Sequence, residues 1–368
     1  MAVPLMDVAA EYRSIAHEID DHLSKFLDSG KYTLGPYVER FEEEFAEYLG
    51  VEYCVGVSSG TDALLLSLRA LGVGEGDEVI TTPFTFVASA DVIVRLGARP
   101  VFVDVEPGTL NVNADAIKNT INPKTAAILP VHLYGMPCDL AKLREIASET
   151  GVPVVEDAAQ AAGSRYAGRF VGTFGEAGCF SFFPTKNLGA YGDGGAIVTD
   201  NAELAEEVRA LRVHGAKRKN YPGVIGYKAR LDAMQAAVLS VKLRYLNDWV
   251  LRKRDIVNAY RERLTGVLGV TLLEEPEGRE PAYHQFTARV ERRDELMEHL
   301  QSRDIGCAVY YPIPLHVTEA FGFLGHKPGD FPEAETAAAE VLSLPLFSQM
   351  TDGQLDSVCS TVEGFYRG

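Results

Sequence analysis

Residues 153–199 read PVVEDAAQAAGSRYAGRFVGTFGEAGCFSFFPTKNLGAYGDGGAIVT, and three short apolar runs, 153–156, 179–182 and 196–199, stand out between turns rich in glycine and polar residues. Runs of this length without polar alternation are the pattern of strands buried on both faces. Working outward, similar runs at 53–57, 78–81, 100–105 and 126–131 alternate with helical patterns at 62–71, 87–96 and 140–150. Gly72, Gly97 and Gly151 stand just past the ends of these helices, where a left-handed residue closes a helix most easily. Strand and helix in alternation predict an α/β core, a mostly parallel central sheet covered by helices on both sides. After Arg230 the character changes. Leu231, Met234, Val238 and Val241 recur at helical spacing, and helical sequence continues through Trp249 toward Leu264. A Gly/Pro/Glu-rich loop at 274–281 precedes a strand at 284–290, a helix at 294–302 and a strand near 307–311. The pattern predicts a large α/β domain over residues 1–245, N-terminal arm included, and a smaller α+β domain over 246–368.

Composition sets outer limits on function. A chain of 368 residues with 46% hydrophobic and 24% charged residues has length for about two domains and the balance of a globular protein. Its formal net charge of −17 repels polyphosphate, and the one short basic run, Lys217-Arg218-Lys219, is no nucleic-acid surface. Cys54, Cys138, Cys179, Cys307 and Cys359 are scattered, with no Cys-x-x-Cys pair and no histidine at zinc spacing. No metal site is expected, and a reducing, cytoplasmic setting fits best. The opening residues lack a basic stretch followed by an apolar signal core, and no apolar run is long enough to span a bilayer.

Three motifs carry chemistry. Ser58-Ser59-Gly60-Thr61-Asp62 lies between a strand and a helix, where free backbone N–H groups and hydroxyls can converge on a phosphate. A plain helix cap with a turn glycine would look the same. Asp157 closes a buried strand, at the sheet edge where open α/β folds bind ligands, and a protonated pyridine nitrogen would suit it as partner; a helix cap is the alternative. Lys186 follows the apolar strand on a glycine-hemmed turn, where lost solvation would lower its pKa and favour amine chemistry at a carbonyl. Most lysines in turns are merely solvated charges. Together, however, anion cradle, strand-end aspartate and turn lysine come in the order in which pyridoxal phosphate (PLP) is held.

With these residues in view, the sequence resembles the DegT/DnrJ/StrS family of PLP-dependent nucleotide-sugar aminotransferases, of fold type I, along nearly its whole length. The resemblance rests on Thr33-Leu34-Gly35-Pro36, SSGTDAL from Ser58, TPFTFVAS from Thr82, PVHLYGMPCD from Pro130, VEDAAQAAGS from Val155, FSFFPTKNLGAYGDGG from Phe180, RLDAMQAAVL from Arg230 and YYPIPLH from Tyr310. It implies that Lys186 is the Schiff-base lysine and proton shuttle and that Asp157 partners the pyridine nitrogen. Gln160 would face the cofactor's phenolic oxygen and Phe86 would stack on the ring, although core packing is the ordinary fate of such an aromatic. Gly60, Thr61 and Ser181 would hold the phosphate. The family usually has asparagine two residues before Arg230, reaching the phosphate across a dimer interface; here that position is Lys228.

The chain is most similar to the branch acting on 3-keto sugars, in particular UDP-linked 2-acetamido-3-keto-hexuronic acids. Arg230, from the partner subunit, and His316 would then contact substrate; an ion pair with Asp232 is the alternative for Arg230. The resemblance further implies a cytoplasmic homodimer with shared sites, glutamate as amino donor, and neither nucleic acid nor membrane as partner. A dTDP-linked 3-keto or 4-keto-6-deoxysugar is the alternative substrate. Related dehydratases carry histidine in place of the lysine, which Lys186 argues against. Transcriptional regulation, a different class, sits poorly with the acidic charge.

Overall fold

The computed structural model describes residues 2–218 and 220–367; Lys219, the end of the short basic run, lies outside the described residues. The N-terminal part holds α1 (Val8–Ser29), α2 (Pro36–Leu49), β1 (Tyr53–Val57), α3 (Gly60–Ala70), β2 (Glu78–Thr81), α4 (Ala88–Arg95), β3 (Arg99–Phe102), α5 (Ala114–Thr120), β4 (Thr125–Ile128) and α6 (Leu140–Thr150). There follow β5 (Val155–Asp157), a small hairpin of β6 (Arg165–Tyr166) and β7 (Arg169–Phe170), then β8 (Ala177–Ser181), β9 (Gly195–Thr199), α7 (Ala202–Leu211) and α8 (Ala233–Leu243).

Seven strands form the central layer in the order β1-β9-β8-β5-β4-β2-β3, with β5 joined to β4 through the parallel bridges Ile128–Val154 and Val131–Asp157. Every neighbouring pair is parallel except those made by β9, which runs against both β1 and β8. The expected mostly parallel sheet is therefore present, its strands shifted by a few residues at most. All five residues of β9 are buried, which is why it appears in the sequence as a run of small and apolar residues; β5 is buried throughout as well, although two of its three residues are the carboxylates Glu156 and Asp157. Two apolar clusters sandwich the layer. One joins α2, α6 and α8 around Phe41, Phe45, Phe180 and Phe182; the other joins α3 and α7 around Leu64, Leu66, Leu68 and Val208.

Beyond Arg230 the sequence pattern suggested a continuous helical run. The helix instead breaks at Arg244 and Tyr245, and α9 (Leu246–Leu264) follows as a separate helix. The division expected at 245/246 falls in this break. Leu246 and Val250 pack on the first cluster, whereas Ile256, Val257, Tyr260 and Leu264 pack on a separate C-terminal one. The rest comprises β10 (Val270–Leu272), β11 (Arg279–Glu280), β12 (Phe286–Val290), α10 (Arg293–Gln301), α11 (Pro332–Glu340), β13 (Val341–Leu344) and α12 (Asp352–Arg367). Antiparallel β12 lies between β10 and β13. The strand expected near 307–311 is reduced to a single bridge, Ala308–Ser343, because Pro312 and Pro314 follow at once and offer no N–H to a ladder. Its place is taken by β13. Val3 bridges Ile305, so the first residues of the chain are fastened to the C-terminal body. No helix among the described residues is long and apolar enough to cross a membrane.

Candidate active site

The parallel strands all point their C-terminal ends at one edge, and β1, β5 and β8 deliver there the Ser58–Gly60 loop, Asp157 and Ser181. Asp157 is 4% exposed. Its Oδ2 accepts a hydrogen bond from Ser89 Oγ at 2.8 Å and its Oδ1 accepts one from the Ala159 N–H at 3.1 Å. Burial raises its pKa, opposed by these two donors and by the charge of Lys186. A cation able to share that carboxylate would relieve the cost of burying it.

Strand alternation turns Glu156 to the opposite side. Its carboxylate accepts from the N–H groups of Gly172 at 2.7 Å, Phe174 at 2.6 Å and Gly175 at 2.9 Å, and from His132 Nε2 at 3.0 Å. His132 Nδ1 accepts from the Cys138 N–H at 3.0 Å, so the ring proton sits on Nε2 and faces Glu156. Burial alone would raise Glu156, but these donors hold it below the usual carboxylate range. Thus the strand end that presents Asp157 is anchored from behind.

Lys186 sits on a turn closed by its own N–H donating to Phe183 O at 2.8 Å. Burial lowers its amine to about 8, with the negative charge of Asp157 pulling the other way. Gln160 Oε1 accepts from the Tyr134 N–H at 2.7 Å and its Nε2 donates to the Tyr311 hydroxyl at 3.1 Å, tying Tyr311 to the same edge. Phe86 is 53% exposed and tilts toward Tyr311 with ring centres 6.3 Å apart, while Phe84 is the aromatic that enters the core. At the α3 N-terminus Ser59 Oγ accepts from the Asp62 N–H at 3.1 Å, and the first-turn amides of Gly60 and Thr61 have no place in the helical ladder. Gly60 lies against Ser181: a Cβ at residue 60 would come within 2.6 Å of Ser181 Cβ. Only glycine leaves that space open beside a hydroxyl and a positive helix end.

Arg230 and Lys228 line an open cavity of about 500 Å³ with Ser58, Ser59, Asp62 and Asp193. Being two apart on an extended segment, they face the same way. Among the described residues Arg230 makes no ion pair with Asp232. His316 does not join this group. The resemblance implied a substrate contact, but the residue is 1% exposed, its Nε2 lies 3.0 Å from Glu335 Oε1, and its ring packs on Phe331. Its ring is covered by these neighbours, with Nδ1 left without a hydrogen-bond partner. Conversely Ser89, Tyr311, His132 and Glu156 were not singled out from sequence; the stretches that carry all four were visible, their pairing was not.

The donor set fits PLP. An amine near neutrality, a buried carboxylate in need of a cation, an exposed flat ring and an anion seat meet at one sheet edge. Among the described residues no cluster of acidic, histidine or cysteine side chains is suited to a metal ion.

Comparison with known proteins points the same way. The model of the DegT/DnrJ/EryC1/StrS aminotransferase family matches residues 13–363. The chain is 46% identical over 369 residues to the "Pleiotropic regulatory protein" of Geobacillus stearothermophilus, covering 100% of this chain and 99% of the relative. It is 44% identical to a dTDP-3-amino-3,4,6-trideoxy-alpha-D-glucose transaminase of Streptomyces venezuelae (94% of this chain, 91% of the relative). It is 41% identical to a UDP-N-acetyl-3-dehydro-alpha-D-glucosamine 3-aminotransferase of Acidithiobacillus ferrooxidans (100% and 99%). Among solved structures, S. venezuelae DesV superposes with a TM-score of 0.98 at 43% identity, covering 100% of this chain and 99% of that one. The PLP form of Spr1654, a sugar aminotransferase homologue from Streptococcus pneumoniae, gives 0.89 at 28% identity, with 95% and 96% covered.

Proposed function

The chain belongs to the DegT/DnrJ/EryC1/StrS aminotransferase family and is a PLP-dependent sugar aminotransferase, and from that premise we propose that it moves an amino group from glutamate to carbon 3 of a UDP-linked 3-keto sugar. Relatives with UDP and with dTDP in their names both carry the amino group at carbon 3, which supports that position over carbon 4. The observation that carries the chemistry is the half-buried Lys186, its amine lowered to about 8 by lost solvation, sharing the sheet edge with buried Asp157.

When bound, PLP supplies an electron sink for a carbon losing its proton and carries the amino group from one substrate to the other. Lys186 has the role of moving that proton: an amine titrating near the working pH can both take it up and return it. Asp157 would be the carboxylate that partners the ring nitrogen, where a negative charge would hold a proton. Phe86 would offer the ring a flat apolar face, and Gly60, Thr61 and Ser181 would hold the phosphate. Gln160 orients Tyr311 at the rim and would face the phenolic oxygen.

Two copies share their sites in this reading, with Arg230 and Lys228 of each serving the other; the wide opening they line leaves both cations accessible. The five free cysteines, four of them buried, support a cytoplasmic setting. A dTDP-linked 3-keto sugar is the second reading, favoured by the 44% identity to the dTDP-sugar transaminase. The test is a panel of UDP- and dTDP-linked sugars, ketonic at carbon 3 or 4 and with or without a carboxylate at carbon 6, with glutamate as donor. Turnover confined to dTDP substrates would transfer the assignment to the second reading, and turnover of 4-keto sugars alone would overturn the position. A preference for the carboxylated sugar that disappears in Arg230→Lys would extend the assignment to a hexuronic acid, since a guanidinium binds both carboxylate oxygens and an ammonium does not.

A further inference from the structure

A buried lysine lies behind the turn that carries Lys186. Lys253, on α9, is 6% exposed, and its Nζ donates to Asn187 Oδ1 at 2.8 Å. Asn187 is the residue next to Lys186 and is itself 5% exposed. Its Nδ2 donates to Ala282 O at 2.8 Å and Ala162 O at 3.4 Å. One side-chain amide thereby joins the lysine turn to α9, to the segment leading into β12 and to the loop after β5. Lys186 and Lys253 also line the same small cavity, with Glu11 of α1 and with Phe347 and Gln349 from the C-terminal part.

We propose that Lys253 is a positioning residue for the transamination, acting on Lys186 through the Asn187 side chain and holding the 183–187 turn so that the Lys186 amine stays within the site. A buried amine is costly unless hydrogen-bonded, and an apolar side chain would fill this helix face at less cost. The partner Lys253 has is the neighbour of Lys186. The charged and titratable groups around it are Glu11 from α1, which favours its charged form, Lys242 from α8, which opposes it, and His284, buried near both Lys186 and Lys253. Asp7 reaches the same cavity. Protonated or neutral, the amine still has an N–H for Asn187, so the clasp persists across the titration of either lysine.

The inference rests on Lys186 being the lysine that joins the cofactor. Its test is a pH titration of the bound cofactor's absorbance in the holoenzyme, alongside kcat and KM. In Lys253→Met the freed turn lets water reach the Lys186 nitrogen and solvate its protonated form better, so the midpoint should rise by about half a pH unit or more. Turnover should fall about tenfold or more through misplacement, with the KM for glutamate changed less than about twofold. Lys253→Arg, which keeps a donor, should return the midpoint toward that of the wild type. Asn187→Ala cuts the clasp from the other side with Lys253 intact and should raise the midpoint by itself, which keeps the test open if the methionine variant does not fold. The double variant should shift no further than either single one. An unchanged midpoint in folded Asn187→Ala, or additive shifts in the double variant, would overturn the proposal. Should either of those results be obtained while borohydride reduction still labels Lys186 in the wild type, this inference would have failed and the cofactor assignment would stand.

Discussion

Replacing Asp157 by asparagine separates chemistry from architecture. The carboxylate uses one oxygen for the Ala159 N–H and the other for Ser89 Oγ. An asparagine can keep both contacts, its carbonyl accepting from Ala159 and its amide donating to the serine oxygen, which can turn to accept. What it cannot keep is the negative charge. In the folded protein burial raises the Asp157 pKa, so the ionised carboxylate costs stability when no cation sits beside it. The cofactor-free variant should therefore melt no lower than the wild type. The holoenzyme should lose turnover by at least about a hundredfold, or about 2.7 kcal/mol at roughly 1.4 kcal/mol per decade, comparable with removing one strong electrostatic contact from a site shielded from water. The assay is the rate of amino transfer from glutamate under saturating cofactor, with cofactor content read from absorbance. Near-normal turnover with full occupancy would refute the role given to this carboxylate. A variant that lost its fold would refute the claim that its burial is costly.

Borohydride reduction of the holoenzyme followed by peptide mapping should place the pyridoxyl group on Lys186, and a label on Lys253 instead would exchange their roles. Gly60→Ala, whose Cβ would come within 2.6 Å of Ser181 Cβ, should destabilise the fold by about 1–3 kcal/mol through overpacking. It should also weaken cofactor binding, measured by fluorescence quenching; unchanged affinity would remove the anion seat from that helix end. Lys253 has a folded pKa of about 8, below the roughly 10.4 of a free lysine, so between these values the unfolded chain binds more protons and stability rises with pH. Denaturant titrations at pH 8 and pH 10 should show that rise reduced in Lys253→Met by about 1 kcal/mol per pH unit, and equal slopes would contradict the burial argument. Mixing Lys186→Ala with Arg230→Ala should restore part of the activity through hybrid dimers holding one intact site. No recovery despite demonstrated subunit exchange would count against shared sites.

The seven central strands were legible because a strand buried on both faces leaves an uninterrupted apolar run, and their turns are marked by glycine. The C-terminal part was less so. Cys307-Ala308-Val309 has strand composition but pairs with β13 only through the Ala308–Ser343 bridge, and β13 is announced only by Val341-Leu342 ahead of Pro345. At the site, Lys186, Asp157 and Gly60 could be found because each owes its position to a local strand-turn feature. Ser89 meets Asp157 across 68 residues and Tyr311 meets Gln160 across 151, distances over which no spacing rule operates. His316 shows the converse: a motif carries a residue's type and order, but whether Phe331 and Glu335 will cover it is decided by packing from elsewhere in the chain.

The reversed strand β9 has a consequence for how the molecule assembles. It follows β8 through residues 182–194, so Ser181 and Lys186 belong to an antiparallel pair that can close locally, at small entropic cost. The Ser58–Gly60 loop arrives differently, when β1 docks on β9 by pairing Tyr53 with Thr199 from the far side of the chain. Gly195 then lies so close that a Cβ there would come within 2.4 Å of Ser59 O. The amine end of the cofactor seat can thus form early, while the phosphate end awaits the slowest kind of contact. Full-strength cofactor binding should accordingly be acquired in the last phase of refolding. A ligand that binds only the finished sheet favours the native state by mass action, with β1 held against β9 as part of the bargain.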